Sequence, residues 1–445
     1  MSNTTCSAFP LQQNQNSRVE EAGSAVRKLL LEKFPEDYIP EERLKYVGNL
    51  GAGEFGRVDK YGLLESNMTT RSVALKLLNR ELLSCEKDVR NFLNEMRVLR
   101  QLEHPSIASY LGTGVVTAPS REANEPLEHI FLAQECCEGK TIQDIVLTQM
   151  KQLPRKQIYT WSQAVSWMLG VCSALQYMHE HEPMVIHRDL KPANIIIVES
   201  RDGGMQPKLV DFGLHKVVHF HSDESIRGGL ASLREGSRHR PREGGARPGE
   251  GPPSPRRADG VGQLLASGGV HVGTNGSVHA RRGAAGIAHQ AFRMTGGCGS
   301  LVYMAPEVHL GEAYNHSIDV FSVALIFWEV FAFRIQLTLV PGEVTIQAVT
   351  DYTMKICSGY RPPLPKMWPK ELRVLLAEMW EQDFRRRPSF GEIVPRLRAI
   401  AEAVRDLEAR GRCPGFQGVL PGMALAPPKA PKGSAASRFR ALFRK

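Results

Sequence analysis

Residues 187–194 read His187-Arg188-Asp189-Leu190-Lys191-Pro192-Ala193-Asn194, and every other stretch of the chain has to be arranged around this run. It places a carboxylate, a lysine two positions on and an amide five positions on within one short segment. Asp189 can take a hydrogen bond from a hydroxyl and receive its proton. Lys191 can neutralise charge on a phosphate, and Asn194 can offer a neutral oxygen to a magnesium ion. Together these are the parts needed to move a phosphoryl group.

The complementary parts occur on both sides, in a workable order. Gly51-Ala52-Gly53-Glu54-Phe55-Gly56-Arg57-Val58 follows the short strand pattern of residues 44–47. A strand-turn-strand laid over a triphosphate must bring backbone N–H groups close to oxygen, and side chains would obstruct that approach. Phe55 can cap the phosphates, and Val58 offers an apolar face to a base. Val73-Ala74-Leu75-Lys76 alternates like a strand, with Ala74 leaving room for a flat ring and Lys76 reaching toward the α- and β-phosphates. The ammonium needs a carboxylate to hold it. A helix is predicted over 85–100, where Phe92, Met96 and Leu99 form an apolar stripe with Glu95 beside it. Glu103 is the rival carboxylate, but it falls beyond that helix. Downstream, a strand is predicted over Ile195-Ile196-Ile197-Val198. A turn at 201–204 and a second strand at 208–210 then deliver Asp211-Phe212-Gly213, whose carboxylate can ligate magnesium. Ala305-Pro306-Glu307 closes the series.

As an ordered set, these motifs resemble the eukaryotic protein kinase family over roughly residues 44 to 400. The resemblance implies a bilobal α+β fold, with a small antiparallel β-sheet lobe carrying one main helix and a larger, mostly helical lobe. It implies ATP and Mg2+ as phosphoryl donor and cofactor, Asp189, Lys191, Lys76 and Glu95 as the catalytic set, and Asn194 and Asp211 as metal ligands. The nucleotide would meet Gly51, Ala52, Gly53, Glu54, Phe55, Gly56, Val58, Ala74 and Lys76. The hinge backbone at Glu135 and Cys137 would hold its base edge. Gln134 would stand where access to a rear pocket is controlled, in place of the usual apolar or small residue, and the thiols of Cys136 and Cys137 are expected to be buried. Asp319 would anchor the catalytic loop, and Arg387 would pair with Glu307. The strings GSLVYMAPEV, DVFSVALIFWEVF, GYRPPLP and MWEQDFRRRPSF resemble the tyrosine-kinase-like group. With Lys191, they imply protein substrates with serine or threonine acceptors. Ser300 would take the acceptor-side position, and Arg188 would wait for a phosphate for which Thr295 is the best candidate. Val302 and Ala324 depart from the arginine and glycine expected there. The rival readings are a pseudokinase-type scaffold or binding module without turnover and a small-molecule phosphotransferase.

The 445 residues, 42% of them apolar, are ample for two lobes with extensions. No apolar run approaches the length of about 20 needed to span a bilayer. Val323 to Phe333 comes nearest, but it is short, contains Glu329 and reads as a buried helix. The polar N-terminus lacks a signal pattern, and the eight scattered cysteines outline neither a zinc site nor a disulfide framework. A cytoplasmic location follows as an expectation, with the nucleus also open. Residues 1–43 form a partly disordered extension with one amphipathic helix at 19–34, for which packing on the small lobe is preferred over binding a partner. Residues 401–445 form a basic tail that contributes to the net charge of +9. Nucleic acid is not expected as a partner. For the tail, which ends in Ser437-Arg438-Phe439-Arg440-Ala441-Leu442-Phe443-Arg444-Lys445, a plain solvated segment is preferred over membrane contact. Oligomeric state is not legible.

The interval between Asp211 and Ala305 is several times longer than in related kinases. Residues 221–290 hold 15 of the 40 glycines, ten arginines, no lysine and no aromatic residue. So little apolar surface cannot offset ordering entropy, and the stretch is expected to be a disordered insert. It reads either as a regulatory insert with phosphosites such as Ser237 or Ser254, or as translated non-coding sequence with GC-rich codon usage. The second reading is preferred.

Overall fold

A computed structural model describes residues 27–53, 56–78, 86–118, 127–152, 156–200, 202–212, 216–221, 271–272, 278–281, 301–340 and 345–411. Strands β1 (Leu44–Gly53), β2 (Gly56–Leu64), β3 (Thr70–Leu78), β4 (Tyr110–Ala118) and β5 (Leu127–Glu135) form an antiparallel sheet in the order β1-β2-β3-β5-β4. Alternation does the sorting. Val73, Leu75 and Leu77 of β3 are buried on one face with Tyr61, Phe131 and Ala133, while Ala74 and Lys76 fall on the other. The helix predicted at 85–100 spans Glu86–Gln101, and Phe92, Met96 and Leu99 are buried as its spacing required. The antiparallel β-sheet lobe and the helical lobe described next make the bilobal α+β fold expected of the family.

The larger lobe is built around the helix Ser317–Ala332. Residues 317–331 are all buried, as an all-round apolar helix demands. Left-handed Phe333, at φ 53°, ends it. The run from Val323 is therefore a buried core helix, and among the described residues no helix is long and apolar enough to cross a membrane. Against it lie the helices Trp161–Glu180 and Lys370–Met379, and the helix Phe390–Ala409 packs on both of these. Thr160 and Gln163 cap the first of these reciprocally, Thr160 Oγ1 accepting the Gln163 N–H and Gln163 Oε1 accepting the Thr160 N–H.

Short strands sit where the lobes meet: β6 (Gly139–Thr141), β7 (Met184–Ile186), β8 (Ile195–Glu199) and β9 (Met205–Leu209). β6, β8 and β9 form a three-stranded sheet, and the β8–β9 hairpin turns through Gly203 at φ 78°. β10 (Lys216–His221) pairs antiparallel with β7 and parallel with β12 (Val278–Arg281), and β11 (His271–Val272) flanks β12. Within 221–290 the described residues are 221, 271–272 and 278–281, and they are strand. β10 leaves an edge open beside β7, and the β-branched residues Val272 and Val278 belong to a local hairpin that completes it. The rest of that stretch lies outside the described residues, as do the segments 1–26 and 412–445. Of the helix expected at 19–34, residues 27–34 are described; 27–33 are helical and Phe34 ends the helix.

Candidate active site

β3 carries Lys76 on the face opposite the sheet's buried cluster, and the helix Glu86–Gln101 carries Glu95 toward it. Lys76 Nζ lies 2.8 Å from Glu95 Oε1 and 3.3 Å from Asp211 Oδ1. Burial by itself would lower the Lys76 pKa; the charges of Glu95 and Asp211 outweigh it and hold the ammonium above its usual range. Glu103, the rival carboxylate, lies beyond the end of the helix, and its backbone N–H donates to Tyr177 Oη.

Asp211 follows β9 directly. Leu209 exchanges backbone hydrogen bonds with Ser106 and Ala108, and the Val210 N–H donates to Asn194 O at 3.0 Å. These bonds determine where Asp211 begins. Asp211 adopts φ 65°, a left-handed conformation that costs a non-glycine residue energy and persists only where its surroundings enforce it. Its side chain is 45% exposed toward the cleft. Phe212 turns inward instead, buried against His187 with ring centroids 5.0 Å apart.

Asp189, Lys191 and Asn194 lie together. Lys191 Nζ lies 2.6 Å from Asp189 Oδ2. Asn194 Nδ2 donates to Asp189 O at 2.9 Å and to Asp189 Oδ2 at 3.3 Å. With its amide nitrogen engaged on Asp189, Asn194 keeps its oxygen for another partner. A carboxylate and an amide oxygen, with remaining positions filled by phosphate and water, suit a small hard cation, so the donor set fits magnesium. The loop hangs from the central helix: Asp319 Oδ2 accepts the His187 N–H and Asp319 Oδ1 the Arg188 N–H, both at 2.9 Å. His179 Nε2 also reaches Asp319 Oδ2 at 2.9 Å. Burial would raise the Asp319 carboxyl, yet these partners hold it below its usual range. Glu307 and Arg387 form the expected pair, with Nη1–Oε1 at 2.6 Å and Nη2–Oε2 at 2.9 Å, both side chains buried.

The base-binding wall is partly described. Val58 pairs with Lys76 across β2–β3, and Gln134 pairs with Ala74 across β3–β5, so all four side chains share one face. Gln134 is buried. Glu135 belongs to the end of β5; its N–H donates to Ser109 O, and its carboxylate binds Lys208 Nζ at 2.8 Å. The Cys137 thiol leans toward the Glu135 carbonyl at 3.8 Å. Cys136 and Cys137 are half-buried where burial was expected, because this short connection runs along the cleft edge rather than under it. Desolvation nonetheless pushes the Cys137 thiol up to about 12.

Gly51 and Val58 are described on β1 and β2, and Ala52, Gly53 and Gly56 are described as strand backbone. Glu54 and Phe55 lie outside the described residues, as do Gly213, Thr295 and Ser300. Val302 is buried, and its carbonyl accepts from Gln336 Nε2 at 3.4 Å; Ala324 is fully buried in the central helix. Sequence reasoning missed a buried cluster beneath Tyr303, in which Glu329 accepts from Tyr303 Oη at 3.1 Å and from the Gln336 N–H at 2.8 Å.

Comparison with known proteins identifies the family. The family described as "Protein kinase domain" matches residues 44–232, and "Protein tyrosine and serine/threonine kinase" matches residues 287–397. The chain belongs to the eukaryotic protein kinase family, whose members use ATP and a divalent metal on protein substrates. It is similar to serine/threonine-protein kinase VIK of Arabidopsis thaliana, 24% identical over 80% of this chain and 59% of the relative. It is also similar to human mitogen-activated protein kinase kinase kinase 7, 26% identical over 78% of this chain and 40% of the relative. A third relative is dual specificity protein kinase shkE of Dictyostelium discoideum, 24% identical over 83% of this chain and 39% of the relative. These matches agree with the tyrosine-kinase-like character of the sequence. The chain thus spans less than two thirds of the length of each.

Proposed function

We propose that this protein is a serine/threonine kinase that transfers the γ-phosphoryl group of Mg-ATP to protein hydroxyls. The observation that carries the reading is the position of Lys76, whose ammonium touches Glu95 and Asp211 at once. That arrangement joins the small-lobe helix, the phosphate-binding strand and the metal-side carboxylate in one chain of charges.

Lys76, steadied by Glu95, holds the α- and β-phosphates beneath the glycine loop. Asp189 accepts the proton of the acceptor hydroxyl as its oxygen bonds to the γ-phosphorus and the bond from that phosphorus to the bridging β-γ oxygen breaks. Lys191, already 2.6 Å from Asp189, is placed to neutralise the phosphoryl oxygens during transfer. Asp211 and Asn194 would hold magnesium, which when bound neutralises charge on the phosphates. Val58 and Ala74 supply the apolar walls for the base. What weighs against a pseudokinase reading is that the chain carries Lys76, Glu95, Asp189, Lys191, Asn194 and Asp211 together.

Purified protein, a serine/threonine peptide library and labelled ATP test the reading. Asp189→Asn should keep nucleotide binding and lower turnover about 10²- to 10⁴-fold, the range for a positioned base. Lys76→Met should abolish turnover. Undiminished phosphorylation by either variant would overturn the assignment.

A further inference from the structure

The segment preceding β1 is fitted against the small lobe along its whole described length. Leu30 is fully buried and Phe34 is 5% exposed, and both join the same apolar core as Phe92, Leu93 and Met96 of the helix that carries Glu95. Asp37 Oδ2 lies 3.3 Å from Arg100 Nε, in the last turn of that helix. The Ile39 N–H donates to Thr113 O at 2.8 Å, and Glu41 accepts from the Thr117 N–H at 2.8 Å, both on β4. β4 has been cleared to receive the segment. A Cβ on Gly112 would meet Asp37 O at 2.4 Å, and one on Gly114 would meet Ile39 O at 2.5 Å.

We infer that residues 27–43 are a brace that holds the helix Glu86–Gln101 in the position where Glu95 reaches Lys76, with Leu30, Phe34 and Asp37 as positioning residues for nucleotide binding and transfer. Among the described contacts the helix reaches Lys76 through Glu95, so a small rotation or outward shift of the helix breaks the pair. The sheet restrains one side of it. Leu30 and Phe34 anchor the segment in the apolar core that also receives Phe92, Leu93 and Met96, and Asp37 ties the helix's last turn to a segment that is itself hydrogen-bonded to β4. Rotation about the helix axis and sliding along it are both opposed.

The inference rests on the kinase reading, and the experiment separates the two. In the full-length protein, the Kd of a fluorescent ATP analogue and amide hydrogen exchange over residues 86–101 are measured for wild type, Phe34→Ala, Phe34→Leu, Asp37→Asn, Glu95→Gln, and the double variants Phe34→Ala with Glu95→Gln and Asp37→Asn with Glu95→Gln. Phe34→Ala should weaken nucleotide binding about tenfold and accelerate exchange in residues 92–101 by a similar factor, with Asp37→Asn following in the same direction and Phe34→Leu restoring most of the loss. In the Glu95→Gln background, either substitution should cost less than a further twofold in Kd, because both act through the same pair. Losses that multiply in that background would overturn the brace. So would a lowered melting temperature with unchanged exchange and Kd. Asp37→Asn, a mild change at a partly solvated side chain, keeps the test decisive if Phe34→Ala fails to fold. Wild-type protein that binds nucleotide but transfers no phosphate would refute the kinase reading while leaving both readouts of the brace intact.

Discussion

Asp319 Oδ1 accepts the backbone N–H of Arg188 at 2.9 Å while Arg188 holds φ at 70°. A non-glycine residue pays about 1–3 kcal/mol for such a conformation, so the carboxylate on the central helix is what keeps the catalytic loop in its working shape. Asp189, the next residue, inherits its position from that bond.

Asp319→Ala should therefore damage turnover as well as stability. Loss of two charge-assisted backbone hydrogen bonds is expected to lower unfolding stability by about 3 kcal/mol, read from urea denaturation. At temperatures where the variant stays folded, kcat should fall about tenfold or more, since 1.4 kcal/mol of misplacement suffices for that. Full activity in a folded Asp319→Ala protein would show that the loop holds its shape without this anchor.

Glu307 and Arg387 make a two-point ion pair with both side chains buried. Removing one partner leaves the other charged and desolvated, so Glu307→Gln should cost about 3–5 kcal/mol of stability. Replacing both by apolar residues of similar volume, as in Glu307→Met with Arg387→Leu, should recover much of that loss. Chemical denaturation of the three proteins checks the order; a double variant weaker than either single change would contradict it.

Glu329 is fully buried, and desolvation pushes its carboxyl up to about 8. The folded value lies above the value of about 4.3 for an unfolded chain. The folded protein therefore binds the extra proton between these pH values, and the group's contribution to stability declines as pH rises from about 4.3 through 8. Glu329→Gln keeps a neutral, similarly shaped side chain and removes this dependence. The melting temperature of the variant relative to wild type should rise steadily across that interval. A difference that stays flat with pH would mean that Glu329 is ionised throughout.

Cys137 borders the cleft, yet burial and nearby Glu135 raise its thiol to about 12. The thiolate is the reactive form, so at neutral pH it should alkylate far more slowly than an ordinary free thiol. Iodoacetamide labelling followed by peptide mass spectrometry reads this directly. Labelling of Cys137 at pH 7 as fast as a model thiol would refute the assignment.

The motifs that carry chemistry were legible because each is local. The run from His187 to Asn194, the glycines before Val58 and the alternation around Lys76 all encode short-range geometry, and spacing alone limits what such segments can do. The stripe of Phe92, Met96 and Leu99 likewise announced its own helix. The two lobes followed from the order of these motifs together with their family resemblance. Tertiary structure decided everything that depends on distant residues meeting. Only the fold brings Lys76 to Asp211, seats Leu30 and Phe34 in the core that holds the helix of Glu95, and pairs β10 with a strand inside a stretch whose composition argued against order. It also makes Glu329 a neutral acid under Tyr303 and leaves Cys136 and Cys137 half-exposed at the cleft edge. Burial and long-range partnership set those outcomes through desolvation and Coulomb energy, and neither quantity is written in the order of neighbouring residues.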